Sequence, residues 1–535
     1  MLTRRRLPRI LAAITLVLTL MLSACTHSAS TPRNARTTSS AGSSAPGPSP
    51  TNSATAASPS APTIAAVKFS DCTSQFRAAI DTERGNSMSF GCAKIPVPKD
   101  YAKPDGATLD VFVLKVHYNL QKASERIGSL VVNPGGPGAS GVNLAASLVN
   151  DLDIGVFKRF DLVGFDPRGV GLSAPVSCLS DSEKDALLSE NPDTRTSAGR
   201  AVARRVASAA VKACVTKYGS SLAAFNTEET ARDMDLVRQS LGDASLNYLG
   251  YSYGTRLGSV YAHLFPTKVR TAVLDGALNP RATTVSQTEA QAKAFEAAFD
   301  QFAAQCRTQA SCAVIGSPRR FVENLLKTSD SRPLPSGSSS DPRKVTSGLI
   351  LIGVLAALYD QSSWSALAQA LVKAKQGNGS GLLALADLYG GRDSSGRYSN
   401  LLDANLAVSC NDSSVTITDA LVASKAAAWI PKYPIFGRNA AVSLYQCVGW
   451  PSSGHPLPPA TAPTAKPILV VSTVHDPATP YGDAAVLAKT LGVGTVLSWN
   501  GEGHTAYPKT TCVATKVNDY LFTGEVPTSD SCPAG

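Results

Sequence analysis

Histidine is scarce in this chain, with six in 535 residues, so few side chains can serve as a base near neutral pH. No C-x-x-C pair occurs among the eleven cysteines, which argues against a zinc site or a thioredoxin-like redox centre. The glycine-rich stretch LVVNPGGPGASG, residues 130–141, lacks the lysine of a P-loop and is a poor phosphate cradle. No internal repeat occurs. Lys and Arg exceed Asp and Glu by 50 to 40, but the excess is spread along the chain. The one tight basic cluster, Arg4-Arg5-Arg6 with Arg9, lies at the N-terminus. Without a basic stripe interleaved with aromatics, nucleic acid is not an expected partner.

What is present begins with that N-terminus. A basic start, an apolar run over LAAITLVLTLML and then small residues read as an export signal, too short to span a membrane stably. It ends in Leu22-Ser23-Ala24-Cys25, which resembles the lipobox of bacterial lipoproteins. That resemblance implies cleavage after residue 24 and lipidation of Cys25, so the chain is expected at the cell envelope, anchored to the membrane through Cys25. Residues 25–66 are Ser, Thr, Ala and Pro with almost no large apolar side chains, and they read as a tether. Setting Cys25 aside leaves ten cysteines, an even number suited to an oxidising compartment. Pairing sequential neighbours closes only short or moderate loops: Cys72–Cys92, Cys178–Cys214, Cys306–Cys312, Cys410–Cys447 and Cys512–Cys532.

From Val67 onward, strand-like and helix-like segments alternate. Apolar runs such as GSLVVN, FDLVGF, LNYLGY, TAVLD and ILVVSTV are separated by helical patterns such as TEETARDMDLVRQSLG, with early acids and a closing Gly242. Alternation of this kind predicts an α/β fold, a mostly parallel sheet with helices on both faces. Residues 279–464 break the alternation. They are Ala-rich and helical in pattern, and they read as a cap inserted between the two sheet-forming parts, 67–278 and 465–535.

Gly250-Tyr251-Ser252-Tyr253-Gly254 reads G-x-S-x-G between an apolar strand and an amphipathic helix, the context in which that motif presents a nucleophile. A serine needs a base, a group to orient the base, and donors for an oxyanion. His27 lies in the tether, His117 within a strand, and His455 in a proline-rich loop. His263 is about 16 Å along the helix from Ser252 at 1.5 Å per residue. His475 adjoins Asp476. His504, in NGEGHTAY after the last long strand, is the expected base. Asp476 in HDPATP is the expected orienting acid, with Asp275 in VLDGALNP as its rival. The amides of Tyr253 and Gly136 are the expected oxyanion donors. Arg168 in DPRGVGLS is expected to pin its own loop, to Asp166 or another nearby acid. Asp412, Glu228 and Glu229 are candidates to hold a substrate ammonium.

NPGGPGASG, DLVGFDPRGVGLS, GYSYGTRLG, DPATP and GEGHT, in this order across residues 67–535, resemble the α/β-hydrolase serine peptidases related to prolyl aminopeptidase. They look most like the secreted tripeptidyl-aminopeptidase branch with its TAP-like C-terminal region. The resemblance implies an exopeptidase acting at free peptide N-termini through Ser252, Asp476 and His504, on peptide or protein substrates, with no metal or organic cofactor. A carboxylesterase would use the same three residues. A binding lipoprotein that kept the fold would have no need of them. Ser252 argues against an aspartate-nucleophile hydrolase, which would need an aspartate at the elbow.

Overall fold

The computed structural model describes residues 66–534, apart from 78, 79, 81, 309, 414 and 452–456. Cys25, the signal segment and nearly all of the tether lie outside the described residues, as do His27 and His455. Ten strands form one sheet: β1 (Ser70–Asp71), β2 (Met88–Pro98), β3 (Thr108–Tyr118), β4 (Gly128–Asn133), β5 (Phe160–Phe165), β6 (Leu246–Tyr251), β7 (Val269–Asp275), β8 (Ile468–His475), β9 (Gly494–Glu502) and β10 (Ser531–Cys532). Their order is β1-β2-β3-β5-β4-β6-β7-β8-β9-β10. The first three strands join antiparallel, β3 joins β5 antiparallel, and every pairing from β5 to β10 is parallel. This is the α/β-hydrolase fold.

The central strands are unbroken apolar runs because both faces of a parallel sheet are covered. Every residue of β4, β5 and β6 is buried. Alternation then divides each strand between two cores. Leu130, Val132, Leu249, Val273 and Leu469 pack with Val142, Val149, Val517 and Leu521 on one face. Val131, Tyr248, Leu274 and Val470 pack with Met234, Val237, Leu257 and Leu487 on the other. Each fully buried Leu or Val contributes about 1.5–3 kcal/mol, so these layers supply much of the stability that fixes the strand ends.

The insertion is helical and has its own core, with Phe295, Phe299, Phe302, Val354, Leu367, Leu371 and Trp429 among its buried members. It recruits a second stretch of chain that the sequence pattern assigns to the sheet domain. Helices Asp181–Ser189 and Ser197–Tyr218 follow β5 in sequence, yet Ala203 joins the core of the insertion. Thr346 Oγ1 donates to the Ser189 carbonyl (2.7 Å), and Lys184 pairs with buried Asp403 (2.6 Å). The helix Ser197–Tyr218 carries little segregation of apolar residues, which is why its packing partner was not legible. Five disulfides join the neighbouring pairs named above: Cys72–Cys92, Cys178–Cys214, Cys306–Cys312, Cys410–Cys447 and Cys512–Cys532.

Candidate active site

Ser252 stands between β6 and the helix Tyr253–Leu264 with φ 56° and ψ −122°, a left-handed conformation that L side chains rarely adopt. Such backbone costs about 1–3 kcal/mol and persists only when the surroundings enforce it. Here the glycines on either side permit the turn. A Cβ on Gly250 would lie 2.5 Å from the Gly254 carbonyl oxygen, and one on Gly254 would lie 2.9 Å from the Asn133 carbonyl oxygen. The result is a half-buried hydroxyl-bearing residue at the C-terminal end of a central strand, with a helix N-terminus behind it.

Asp476 follows β8 and is buried, its side chain wholly so. Both of its oxygens lie 2.9 Å from His504 Nδ1. The amides of Ala478 and Thr479 donate to Oδ1 (2.9 Å each), Thr479 Oγ1 donates to Oδ2 (2.9 Å), and the Thr505 amide donates to Oδ2 (3.2 Å). Burial pushes this carboxyl up, but the His504 ring and these donors outweigh it and hold Asp476 below the usual carboxylate range.

His504 follows β9, and its ring is about one-tenth exposed. The main chain is fixed by its amide, which donates to the Tyr359 carbonyl (2.7 Å) at the end of helix Ser347–Leu358 of the insertion. The Tyr359 ring meets the imidazole edge-on, with centroids 5.2 Å apart. With Nδ1 engaged by Asp476, Nε2 is buried and has no hydrogen-bond partner among the described residues. Gly276 lies between the elbow and the His504 loop. The Ser252 amide donates to the carbonyl of Asp275, the preceding residue (2.8 Å), and a Cβ on Gly276 would lie 3.1 Å from His504 Cε1 and 3.0 Å from Thr479 Oγ1. Nε2 makes no hydrogen bond to the Ser252 hydroxyl in this conformation, as is common in unliganded sites.

The loop after β4 lies directly on the elbow. Gly135 has φ +90°, and a Cβ there would fall 2.5 Å from the Tyr251 carbonyl oxygen and 2.9 Å from both Ser252 Cβ and the Tyr253 amide nitrogen. Asn133 Oδ1 accepts from the Gly135 amide (3.0 Å) and shapes the turn. Gly136 follows, exposed, with φ +109°. The Tyr253 amide is the first of its helix and has no intrahelical acceptor. The two amides named from sequence thus lie on segments in van der Waals contact.

The other predicted residues separate cleanly. Asp275 does not bond the histidine. It accepts from the amides of Ala506 (3.0 Å to each oxygen) and Tyr507 (2.7 Å), holding the loop beyond His504. Burial raises its carboxyl to about 7 against those donors and the attraction of His504. The native state therefore keeps a proton over roughly pH 4–7 that the unfolded chain releases, so this contribution to stability is full below about pH 4 and lost as pH rises through 7. In Asp275→Asn, Tm measured by calorimetry is expected to fall less between pH 4 and 7 than in the wild type.

Arg168 is fully buried and structural, but its partner is not Asp166. It is bidentate to Asp233 (2.7 and 2.6 Å) and also bonds Glu229 (3.1 Å) and the carbonyls of Pro98, Lys99 and Ala224. Asp166 instead accepts from Ser140 Oγ (2.5 Å) and the Leu172 amide (2.8 Å). Glu229 is thereby tied to Arg168, and Glu228 pairs with Arg232 (2.7 Å). Asp412 is linked to the elbow residue Tyr253 through Thr227. Its oxygens accept from the Thr227 amide (3.1 Å) and hydroxyl (2.5 Å), and that hydroxyl lies 2.5 Å from the Tyr253 hydroxyl. Burial pushes Asp412 up, opposed by those bonds and by Arg256. The remaining described histidines are engaged elsewhere: His117 with Asp161, His263 with the Thr461 carbonyl, and His475 with Glu502.

Serine protease Hip1 of Mycobacterium tuberculosis is 39% identical to this chain over 452 residues, covering 82% of this chain and 86% of that protein. The chain belongs to the TAP-like α/β-hydrolase family. A family model described as TAP-like protein matches residues 433–532, the stretch that carries Asp476 and His504. Within the family, carboxylesterase B of M. tuberculosis is 36% identical over 457 residues (82% of this chain, 85% of that one). Tripeptidyl aminopeptidase of Streptomyces lividans is 31% identical over 460 residues (82% of each). These are serine-hydrolase relatives, and the chain is an enzyme of that kind.

Three residues at the site escaped sequence reading. Thr479 carries a weak signal, a threonine three positions after Asp476 in an Asp-Pro turn. Thr227 follows the N-cap Asn226 and carries no local signal beyond that position. Tyr359 has no local signal, because its contact with His504 spans the insertion.

Proposed function

We propose that this protein is a serine exopeptidase that releases short peptides from free N-termini. The carrying observation is the buried Asp476–His504 pair, with Nε2 unpartnered among the described residues, and Ser252 held in a strained turn whose amide bonds Asp275, next to the Gly276 that abuts the His504 ring. His504 Nε2 takes the Ser252 proton as the hydroxyl attacks the scissile carbonyl. The Gly136 and Tyr253 amides receive the oxyanion. His504 then protonates the departing amine, and water repeats the sequence on the acyl-enzyme. Asp476 keeps the proton on Nδ1 and stabilises the imidazolium. Asp412, bonded to uncharged Thr227, is the carboxylate assigned to the substrate ammonium, since a buried unpaired cation is costly.

Two features favour a peptidase: relatives named as serine protease and tripeptidyl aminopeptidase, and the acid beside the elbow. A carboxylesterase is the second reading, supported by the relative of that name. Mass spectrometry of matched peptides with free and acetylated N-termini separates them. Release of di- or tripeptides from the free set alone is expected. Turnover of simple esters with both peptide sets intact would favour the esterase. The N-terminal pattern ending at Cys25 supports export and lipid attachment, and the location proposed on it is the cell envelope.

A further inference from the structure

The helix Leu401–Asn411 belongs to the insertion, yet it is fastened to the catalytic domain before, along and after its length. At its start, Asn400 Nδ2 donates to the Gly169 and Val176 carbonyls (2.7 and 2.9 Å), and Asn400 Oδ1 accepts from the Gly171 amide (3.0 Å). At its end, Asn411 Nδ2 donates to the Leu222 and Phe225 carbonyls (2.7 and 2.8 Å). A lid that swings has no use for so many short, partly buried bonds. The helix is a fixed member.

Its middle touches the loop after β4. A Cβ on Gly138 would lie 2.7 Å from the Leu401 carbonyl oxygen and 3.0 Å from the Asn405 amide nitrogen, so loop and helix are in direct backbone contact. Asn405 Nδ2 donates to the Pro137 carbonyl (3.1 Å), the residue immediately after Gly136. Asn405 is itself oriented from behind by Gln446 Nε2 (3.2 Å), adjacent to the Cys410–Cys447 disulfide. Just past its end, the helix reaches Tyr253 through Thr227. Asp412 Oδ2 accepts from the Thr227 hydroxyl, so the one hydrogen left to the Thr227–Tyr253 contact is that of the tyrosine. Tyr253 therefore donates to Thr227, which donates to Asp412, at 2.5 Å in each step. One helix thus supports, by separate contacts, the segment of Gly136 and the segment of Tyr253.

We propose that the helix Leu401–Asn411 braces both halves of the oxyanion hole, with Asn405 and Thr227 as positioning residues. The proposal rests on the reading of Gly136 and Tyr253 as the donors. Donors stabilise a transition state only if held where charge develops before it develops, and a glycine-rich loop cannot hold itself there. The insertion then contributes to the chemical step itself.

The test compares wild type, Asn405→Ala, Thr227→Val and Thr227→Ser on a p-nitrophenyl ester, with Ser252→Ala alongside and Tm recorded for each. Asn405→Ala and Thr227→Val are expected to lower kcat roughly 10-fold, a part of the 10²–10³ lost when a donor is removed outright, with KM within about twofold. A boronic acid that forms a tetrahedral adduct on serine should bind these two variants weaker by a similar factor. Thr227→Ser should restore both values. Folded variants that keep kcat, or that change KM while the boronic acid binds as before, would overturn the bracing role. Should Asn405→Ala fail to fold, Thr227→Val, which keeps side-chain shape, carries the test. Ester turnover by Ser252→Ala equal to wild type would overturn the serine-hydrolase reading itself, and the bracing with it.

Discussion

Replacing Ser252 with alanine is expected to lower kcat by about 10⁶-fold, the scale on which an elbow serine acts together with its base. The fold should survive. The hydroxyl makes no capping hydrogen bond to the following helix, and alanine must adopt the same φ of 56°. Glycine at this position should behave differently. It loses the nucleophile equally, but it meets no steric penalty in a left-handed turn, so Ser252→Gly is expected to be more stable than wild type by about 1 kcal/mol, seen as a higher Tm. An inactive variant that melts higher would identify the strain at Ser252 as maintained for reactivity rather than for folding.

Asp476→Asn carries the second large effect, a fall in kcat of about 10⁴-fold, because an amide NH2 facing Nδ1 favours the tautomer with its proton on Nε2. The change also alters the pH dependence of stability. Asp476 is held below its ordinary range in the folded chain, so its contribution is present above the unfolded pKa near 4 and lost as pH falls through the lower folded value. The asparagine variant should therefore lose less Tm than wild type between pH 4 and pH 2. Asp275→Asn changes the opposite limb, near neutrality, and should cost far less in kcat, since Asp275 bonds the Ala506 and Tyr507 amides and not the imidazole.

Much of this was legible before any coordinates, for physical reasons. Parallel strands buried on both faces must be continuous apolar runs, so β4, β5, β6, β7 and β8 announced themselves. The residues after them, Gly135, Gly136, Ser252 and Asp476, sit where such a sheet opens to ligands. Ser252 could be read because a strand-to-helix turn with flanking glycines has few other uses, and His504 because few histidines compete. Contacts between distant segments were not legible. Arg168 could be recognised as structural, but its choice of Asp233 and Glu229 over Asp166 depends on how the helix Thr227–Ser240 docks. Helices Asp181–Ser189 and Ser197–Tyr218 precede the elbow in sequence, so nothing local marked them as partners of the insertion. Asn405, Thr227 and Tyr359 belong to the same class. Asn405 and Tyr359 reach their targets across more than a hundred residues of chain, and Thr227 joins Tyr253, 26 residues on, to Asp412, 185 residues on, through a carbonyl, a hydroxyl or a ring edge that leaves no pattern in the sequence.

The central claim is that the Ser252 hydroxyl becomes reactive beside an imidazole oriented by Asp476. The most direct measurement treats wild type, Ser252→Ala and Asp476→Asn with a fluorophosphonate and locates the adduct by peptide mapping. One adduct per chain on Ser252 is expected in the wild type, none in Ser252→Ala, and labelling slowed by orders of magnitude in Asp476→Asn. Labelling at another serine, or equal labelling of wild type and Ser252→Ala, would contradict it.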